Sequence, residues 1–375
     1  MPDARPLLSI CIPTFNRAPF LAELLEALLP QLTPPRADVE LVISDNASTD
    51  ETPALIASFR ARGLLLRSSR NDENLGADEN FLRCHALAHG RYLWLLGDDD
   101  LPMPDAVPQL LSLLAQGEPT GGYDLVYLSS FGFSGSLLAA PSHAALQDRL
   151  GRFAEVVTDG TYLLEKINAL IGLISVVIIN RDRLLTTPHP PLDALRGTNL
   201  LQVGWTFPLL HRRCRVLFVW QRLLGYRHFN SGGWGICEVF GVRLNRLAQQ
   251  YFANEPALAR ALMNGVLRYW MPDSIMLARR GHEQAMNRED IVTTLRPAFA
   301  GNWRFWLCVV PVAQLPLPLA RLAHALLRTV NRATRITQAL LRHWLRPGEP
   351  QVPEALTPLA LEPARDLPVS VSTAP

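Results

Sequence analysis

Three consecutive carboxylates, Asp98, Asp99 and Asp100, stand directly after the apolar stretch 91–96 and just before Pro102 and Pro104. Charges this close repel unless water or a cation neutralises them. A hard divalent cation, Mg²⁺ or Mn²⁺, held by carboxylates together with substrate phosphates, relieves that repulsion. Such an ion also stabilises charge on a departing diphosphate. The competing reading is an acidic surface turn whose carboxylates cap the next helix. The apolar run before the cluster and the prolines after it favour the cation. Its expected ligands are Asp98, Asp99 and Asp100, with Asp98 also meeting the phosphate-bearing ligand.

Two more polar clusters follow short apolar runs. Pro13-Thr14-Phe15-Asn16-Arg17 is one, and Asp45-Asn46-Ala47-Ser48-Thr49-Asp50 is the other. Asp45 and Asn46 suit a nucleobase or ribose. A carboxylate accepts the imide N–H of uracil or thymine, whereas the equivalent ring nitrogen of cytosine is itself an acceptor. The alternative for Asp45 is an Asx-turn. Ser48 and Asp50 read as caps, with Ser48 and Glu51 at capping-box spacing. In Asn74-Leu75-Gly76-Ala77-Asp78-Glu79-Asn80, Gly76 permits a turn and Asn74 or Asp78 caps a helix. A contact to the same ligand through Gly76 and Asn80 competes with that reading.

The elements that must position these residues follow from hydrophobic periodicity. Strands are expected over 7–12, 39–44, 64–67, 91–96 and 124–129. Helices are expected from Pro19 and over 53–62, 77–89 and 105–116. This alternation implies an α/β fold, a mostly parallel sheet with helices on both faces. Ligands then bind at the carboxyl ends of the strands, and all three clusters lie on that rim. Residues 131–160 read as a loop. A helix from Thr161, a strand at 174–179, a helix near 200–212 and a strand at 215–220 continue the pattern. After Cys237 the chain reads as helical, and from Gly348 it is Pro-rich and expected to be disordered.

Bulk properties narrow the function classes. A length of 375 residues suggests two domains, or one with an appendage. Apolar residues at 48 % and charged residues at 19 % exclude global disorder, and a net charge of +2 gives no sign of a nucleic-acid partner. Five cysteines without a C-x-x-C pair fit reduced thiols in the cytoplasm. No signal peptide is read at the start, where the apolar run 7–12 is short and stops at Pro13. Between Asp290 and Glu349 there is no acidic residue but there are eight arginines. Residues 303–320 are apolar yet broken by Pro311, Pro316 and Pro318. Residues 319–345 read as a basic amphipathic helix. Leu322, Leu326, Val330 and Leu341 form its apolar face; Arg321, Arg328, Arg332, Arg335, Arg342 and Arg346 supply its charge. Such a helix suits an anionic membrane surface. The prolines argue against a span, which needs about 20 unbroken apolar residues. A helix packed on the rest of the molecule is the alternative.

The strings Ser9-Ile-Cys-Ile-Pro-Thr-Phe-Asn-Arg17, Val42-Ile-Ser-Asp-Asn-Ala-Ser-Thr-Asp50, Asn74-Leu-Gly76 and Leu96-Gly-Asp-Asp-Asp-Leu101 together resemble the GT-A-fold family 2 glycosyltransferases. Within them the chain looks most like the abequosyltransferase-type enzymes of O-antigen assembly, a likeness extended by Gly225-Tyr-Arg-His-Phe-Asn-Ser231. The resemblance is strong over 7–130 and weaker over 160–235. It implies a GT-A, Rossmann-like catalytic domain over 1–235, with a nucleotide-sugar half (1–130) and an acceptor half (131–235). A helical region (236–347) and a tail (348–375) follow. It also implies a nucleotide-sugar donor held by Pro13, Thr14, Asn16, Arg17, Asp45, Asn46, Gly76, Asn80 and Asp98. The acceptor is expected to be a lipid-linked glycan, and the setting the cytoplasmic face of the inner membrane. Two departures stand out. Gly97 occupies the first position of the usual D-x-D-D stretch, and the helix Leu200-Leu-Gln-Val-Gly-Trp-Thr-Phe207 lacks the Glu-Asp pair that often supplies the base. Asp193 is the expected stand-in, with His189 and His211 as other options. A sugar nucleotidyltransferase is the rival enzyme class, but its Gly-rich loop with a catalytic Lys is missing. A membrane-associated scaffold on the same fold is the non-enzymatic rival.

Overall fold

The computed structural model describes residues 5–135, 141, 146–147, 152–227, 235–280 and 290–345, of which 335–345 as backbone only. The tail 348–375, Arg346 and the 228–231 part of the motif beginning at Gly225 lie outside the described residues. So do the side chains of Arg335, Leu341 and Arg342.

Strand β1 (Leu8–Thr14) is buried at every position and forms the centre of the nucleotide half. It leads into helix α1 (Ala18–Leu32), whose Leu21, Leu24, Leu25 and Leu28 form the expected 3.6-residue stripe, all without accessible surface. Truncating any one of them to Ala should cost about 2–5 kcal/mol. Strand β2 (Val39–Asp45), helix α2 (Thr52–Ala61), strand β3 (Arg67–Arg70), helix α3 (Ala77–Leu87) and strand β4 (Tyr92–Leu95) follow. Strands β1 to β4 run parallel, in the order β3-β2-β1-β4. This is the βα alternation expected from the sequence.

Beyond β4 the sheet is mixed. The short β5 (Leu101–Pro102), helix α4 (Ala106–Gly117), β6 (Leu125–Phe133), β7 (Ala154–Asp159), β8 (Val177–Asn180) and the long β9 (Arg213–Arg227) complete it in the order β4-β8-β6-β9-β5. Strand β8 is antiparallel to both β4 and β6, while β6 and β9 are parallel. Strand β9 has β6 along one side; β7 pairs with its first half and β5 with its end. Two neighbours on one flank explain why it outruns the expected 215–220.

Other differences have local causes. The third strand lies at 67–70, not 64–67. Leu64 is buried beside α2, Leu65 is 68 % exposed, and the edge of the sheet is taken by the polar Arg-Ser-Ser-Arg. An edge strand needs no apolar run. Strand β7 lies in the stretch read as a loop, because only two of its six residues are buried. The helix expected near 200–212 is a single turn, Val203–Thr206, flanked by 3₁₀ turns. From Cys237 onward the described chain is helical, ending in the 29-residue helix Leu317–Leu345. No helix among the described residues is long and apolar enough to cross a membrane.

Candidate active site

The carboxyl ends of β1, β2 and β4 bring the three polar clusters to one rim, tied by side chains. Asn16 and Ala47 adopt left-handed backbone, with φ of 52° and 63°. Their turns interlock: Ser48 Oγ accepts from the Asn16 N–H at 2.9 Å, and Asn16 Oδ1 accepts from the Thr49 N–H at 2.7 Å. Asp50 accepts from the Ala18 N–H at 2.9 Å and the Thr52 N–H at 3.0 Å, joining the starts of α1 and α2. The expected Ser48–Glu51 capping box does not form, since Ser48 faces the neighbouring turn and Asp50 takes the capping role instead. Pro13 is the penultimate residue of β1, in register with Ser44.

Asp45 is 2 % exposed. One oxygen accepts from the Ser48 N–H at 2.9 Å, an Asx-turn, and the other pairs with Arg70 at 2.8 Å. Asn46 is a hub. Its amide donates to Asn74 Oδ1 (2.7 Å) and Gly76 O (3.2 Å); its carbonyl accepts from Asn71 (2.8 Å) and the Leu75 N–H (3.0 Å). Asn80 links α3 to β2 through Ser44, at 2.6 and 3.1 Å. Gly76, at φ 84°, is the N-cap of α3, where any side chain would be strained. Asn74 accepts from the Gly76 N–H at 2.9 Å, whereas Asp78 accepts from the Gly197 N–H at 2.7 Å and caps nothing in α3.

The acidic cluster faces Arg17. Its guanidinium meets Asp98 at 2.9 Å and Asp99 at 3.0 Å, and Thr14 donates its hydroxyl to Asp98 at 2.8 Å. Asp100 points elsewhere and accepts from the Arg227 N–H at 2.9 Å, with Ser175 also donating to it. Burial pushes the Asp98 carboxyl up to about 7, against the pull of Arg17 and with help from Asp99. Burial and the charge of Asp99 push Asp100 up to about 7. Asp99 is raised by burial, which Arg17 opposes. A buried and a partly buried carboxylate turned toward one cation are a hard-oxygen donor set, of the kind that suits a divalent ion. Of the three expected ligands, Asp98 and Asp99 face Arg17 and Asp100 does not. Among the described residues no three acidic, histidine or cysteine side chains converge on one point. The reason is that the Arg227 N–H and Ser175 turn Asp100 away.

Gly97 has a steric explanation. A Cβ there would lie 3.2 Å from both Asp99 Oδ1 and Ser175 Oγ and 3.3 Å from Asp100 Oδ2. The departure from the common pattern leaves room for the carboxylates that follow.

Sequence reasoning missed the cluster's support. Arg227 donates to Asp99 O at 3.1 Å and pairs with Glu23 at 2.6 Å, sandwiched between the rings of Phe20 (4.9 Å) and Phe133 (4.7 Å). Its side chain is 5 % exposed. Arg70 was missed as well, although a basic residue ending a strand on the ligand rim was a readable signal. No local spacing points to Ser175 or Glu23. Of the proposed bases, Asp193 is 77 % exposed and pairs with Arg196 at 3.3 Å, in a turn tied to α3 by an Arg196–Glu79 ion pair. No ion pair or hydrogen bond among the described residues joins it to the acidic cluster. His211 pairs with Glu255 beyond the first residue of β9, at the opposite rim of the sheet. His189 is exposed, beside Pro190.

This rim, with its turns and acidic end of β4, falls inside residues 9–149, which match the model of glycosyl transferase family 2. Over 109 residues the chain is 42 % identical to abequosyltransferase RfbV of Salmonella typhimurium, covering 29 % of this chain and 32 % of that protein. A PGL/p-HBAD biosynthesis glycosyltransferase of Mycobacterium bovis is 36 % identical over 126 residues, covering 33 % of this chain and 46 % of its own length. The matches thus span a third to a half of these relatives. S. aureus TarS 1–349 shares the fold with a TM-score of 0.53 at 16 % identity, covering 88 % of this chain and 91 % of that one. The matched segment therefore sits in a fold, shared with TarS, that continues well past its end.

Proposed function

We propose that the protein transfers a sugar from a nucleotide diphosphate donor to a hydroxyl of a lipid-linked glycan, in the assembly of a surface polysaccharide such as O-antigen. The observation that carries this reading is the pair of carboxylates, Asp98 buried and Asp99 partly buried, turned toward one cation on the ligand rim of the segment that matches glycosyl transferase family 2. The likeness to an abequosyltransferase supports a deoxysugar donor. TarS 1–349 has been solved with UDP-GlcNAc, which supports a nucleotide-sugar ligand for this fold.

Asp98 and Asp99 would hold Mg²⁺ or Mn²⁺; when bound, the ion supplies positive charge to the leaving diphosphate. With the ion in its place, Arg17 would be free to bind the same phosphates. Thr14 keeps the Asp98 oxygens oriented. Pro13, Asn16, Asp45 and Asn46 shape the nucleoside side, where Asp45 has lone pairs left for a base or ribose N–H or O–H. Gly76 and Asn80 hold the turn that closes that side. Transfer also requires removal of the acceptor proton, and Asp193 is the carboxylate this reading offers. Replacing it by Asn should lower turnover about a hundredfold at unchanged donor KM; a change below about threefold removes it from the mechanism.

The apolar and basic face of Leu317–Leu345 supports peripheral attachment to an anionic membrane, where a lipid-linked acceptor resides. Leu319, Leu322, Leu326 and Val330 are each more than half exposed. Donor hydrolysis in the presence of Mn²⁺, abolished by Asp99→Ala, tests the enzymatic reading. Wild-type protein without such hydrolysis would support the scaffold, and pyrophosphate release from a nucleoside triphosphate would support the nucleotidyltransferase.

A further inference from the structure

A cleft of about 590 Å³ opens in the helical region, away from the acidic rim, between Pro256–Gly265 and the segment 298–304. Among the described residues no carboxylate lines it. Two arginines do: Arg260, which is exposed, and Arg304, whose Nε is buried without a hydrogen-bond partner. Phe252, Met263 and Phe299 supply an apolar floor and are almost fully buried. Its mouth is edged by Trp303, 55 % exposed and stacked on the Arg304 guanidinium at 4.5 Å. Trp303 is continuous with the exposed Trp306 and Leu307.

We propose that this cleft binds the phosphate group of a membrane lipid, with Arg260 and Arg304 taking the anion and the apolar floor taking the first carbons of the chain. Guanidinium is the side chain best matched to phosphate oxygens. An arginine with a buried, unpartnered N–H and no acid beside it calls for an anion. The apolar floor favours an amphiphile over a free ion. Exposed tryptophans at the mouth put the cleft at the depth of headgroups. The inference rests on the membrane-attachment reading for the source of the lipid, but not for the cleft's chemistry.

The test uses the full chain and two soluble probes, dihexanoyl phosphatidic acid and inorganic phosphate, followed by calorimetry. Phosphatidylcholine vesicles with and without phosphatidic acid are used in sedimentation. Wild-type protein should bind the short-chain lipid about tenfold or more tighter than inorganic phosphate, and the double variant Arg260→Gln/Arg304→Gln should lose about tenfold or more of that affinity. The variant should keep its thermal midpoint and donor hydrolysis, since neither residue is near the acidic rim. Equal binding of the lipid by wild type and variant overturns the site. Equal affinity for lipid and inorganic phosphate overturns the lipid as ligand. Binding of the soluble lipid without any binding to vesicles supports the cleft and sinks the attachment reading instead.

Discussion

The α/β half and the helical half handle charge in opposite ways. In the first, Asp98 is buried, Asp99 and Asp100 are partly buried, and each meets a partner inside the fold: Arg17 for Asp98 and Asp99, the Arg227 N–H and Ser175 for Asp100. In the second, residues 291–348 carry arginines and no acid, and Trp303, Leu307, Leu319, Leu322, Leu326 and Val330 face outward. A buried charge without a partner is expensive, so the first half closes its network internally. Solvated arginines carry no such penalty, so the second half can hold its charge for an outside surface.

The comparison can be broken most severely at Asp99. Asp99→Ala should lower metal-dependent donor turnover by about a thousandfold, measured as nucleoside diphosphate release with Mn²⁺. Arg227 comes next. Arg227→Ala removes the cation that pairs with Glu23 and is held between two rings. It should cost about 3 kcal/mol or more in denaturant unfolding. An equal loss at the solvated arginines of the helical half would erase the contrast. Arg17→Gln should lower the thermal midpoint of metal-free protein at pH 8, and Mn²⁺ should restore most of the loss.

The pH dependence sharpens the same point. Asp98 and Asp100 are held near 7 in the fold, against about 4 in an unfolded chain. Folded protein therefore binds these protons more tightly. The stabilisation is complete below about pH 4 and is lost as pH rises through about 7. The metal-free thermal midpoint should fall between about pH 4 and 7 and level off above that, and fall less steeply in Asp100→Asn. Mn²⁺ affinity should move oppositely, weakening below pH 7 as protons compete for the ligands. The smallest effect on chemistry belongs to the other half. Leu322→Asp/Leu326→Asp should leave donor hydrolysis unchanged while vesicle co-sedimentation falls.

Much of the nucleotide half was legible because its information is local. A buried strand followed by small polar residues and an amphipathic helix marks both an element and its ligand end, as β1 with Pro13 to Arg17 and β4 with Asp98 to Asp100 illustrate. Legibility failed where pattern and position part company. Edge strands β3 and β7 are too polar to announce themselves. The antiparallel β8, inserted between β4 and β6, leaves no trace in spacing. Asn46 looked like a ligand group, yet its amide also holds the 74–76 turn.

The sequence by itself determined that acidic, amide and hydroxyl groups share the ligand rim of a parallel sheet, because strand direction and βα order follow from periodicity and handedness. Only the tertiary structure decided what each carboxylate faces. Asp98 and Asp99 meet a cation 81 and 82 residues away, and Asp100 is held by a backbone N–H 127 residues away. These partners are selected by sheet order and by the burial that makes an unpaired carboxylate costly, and neither is written in the spacing of neighbouring residues.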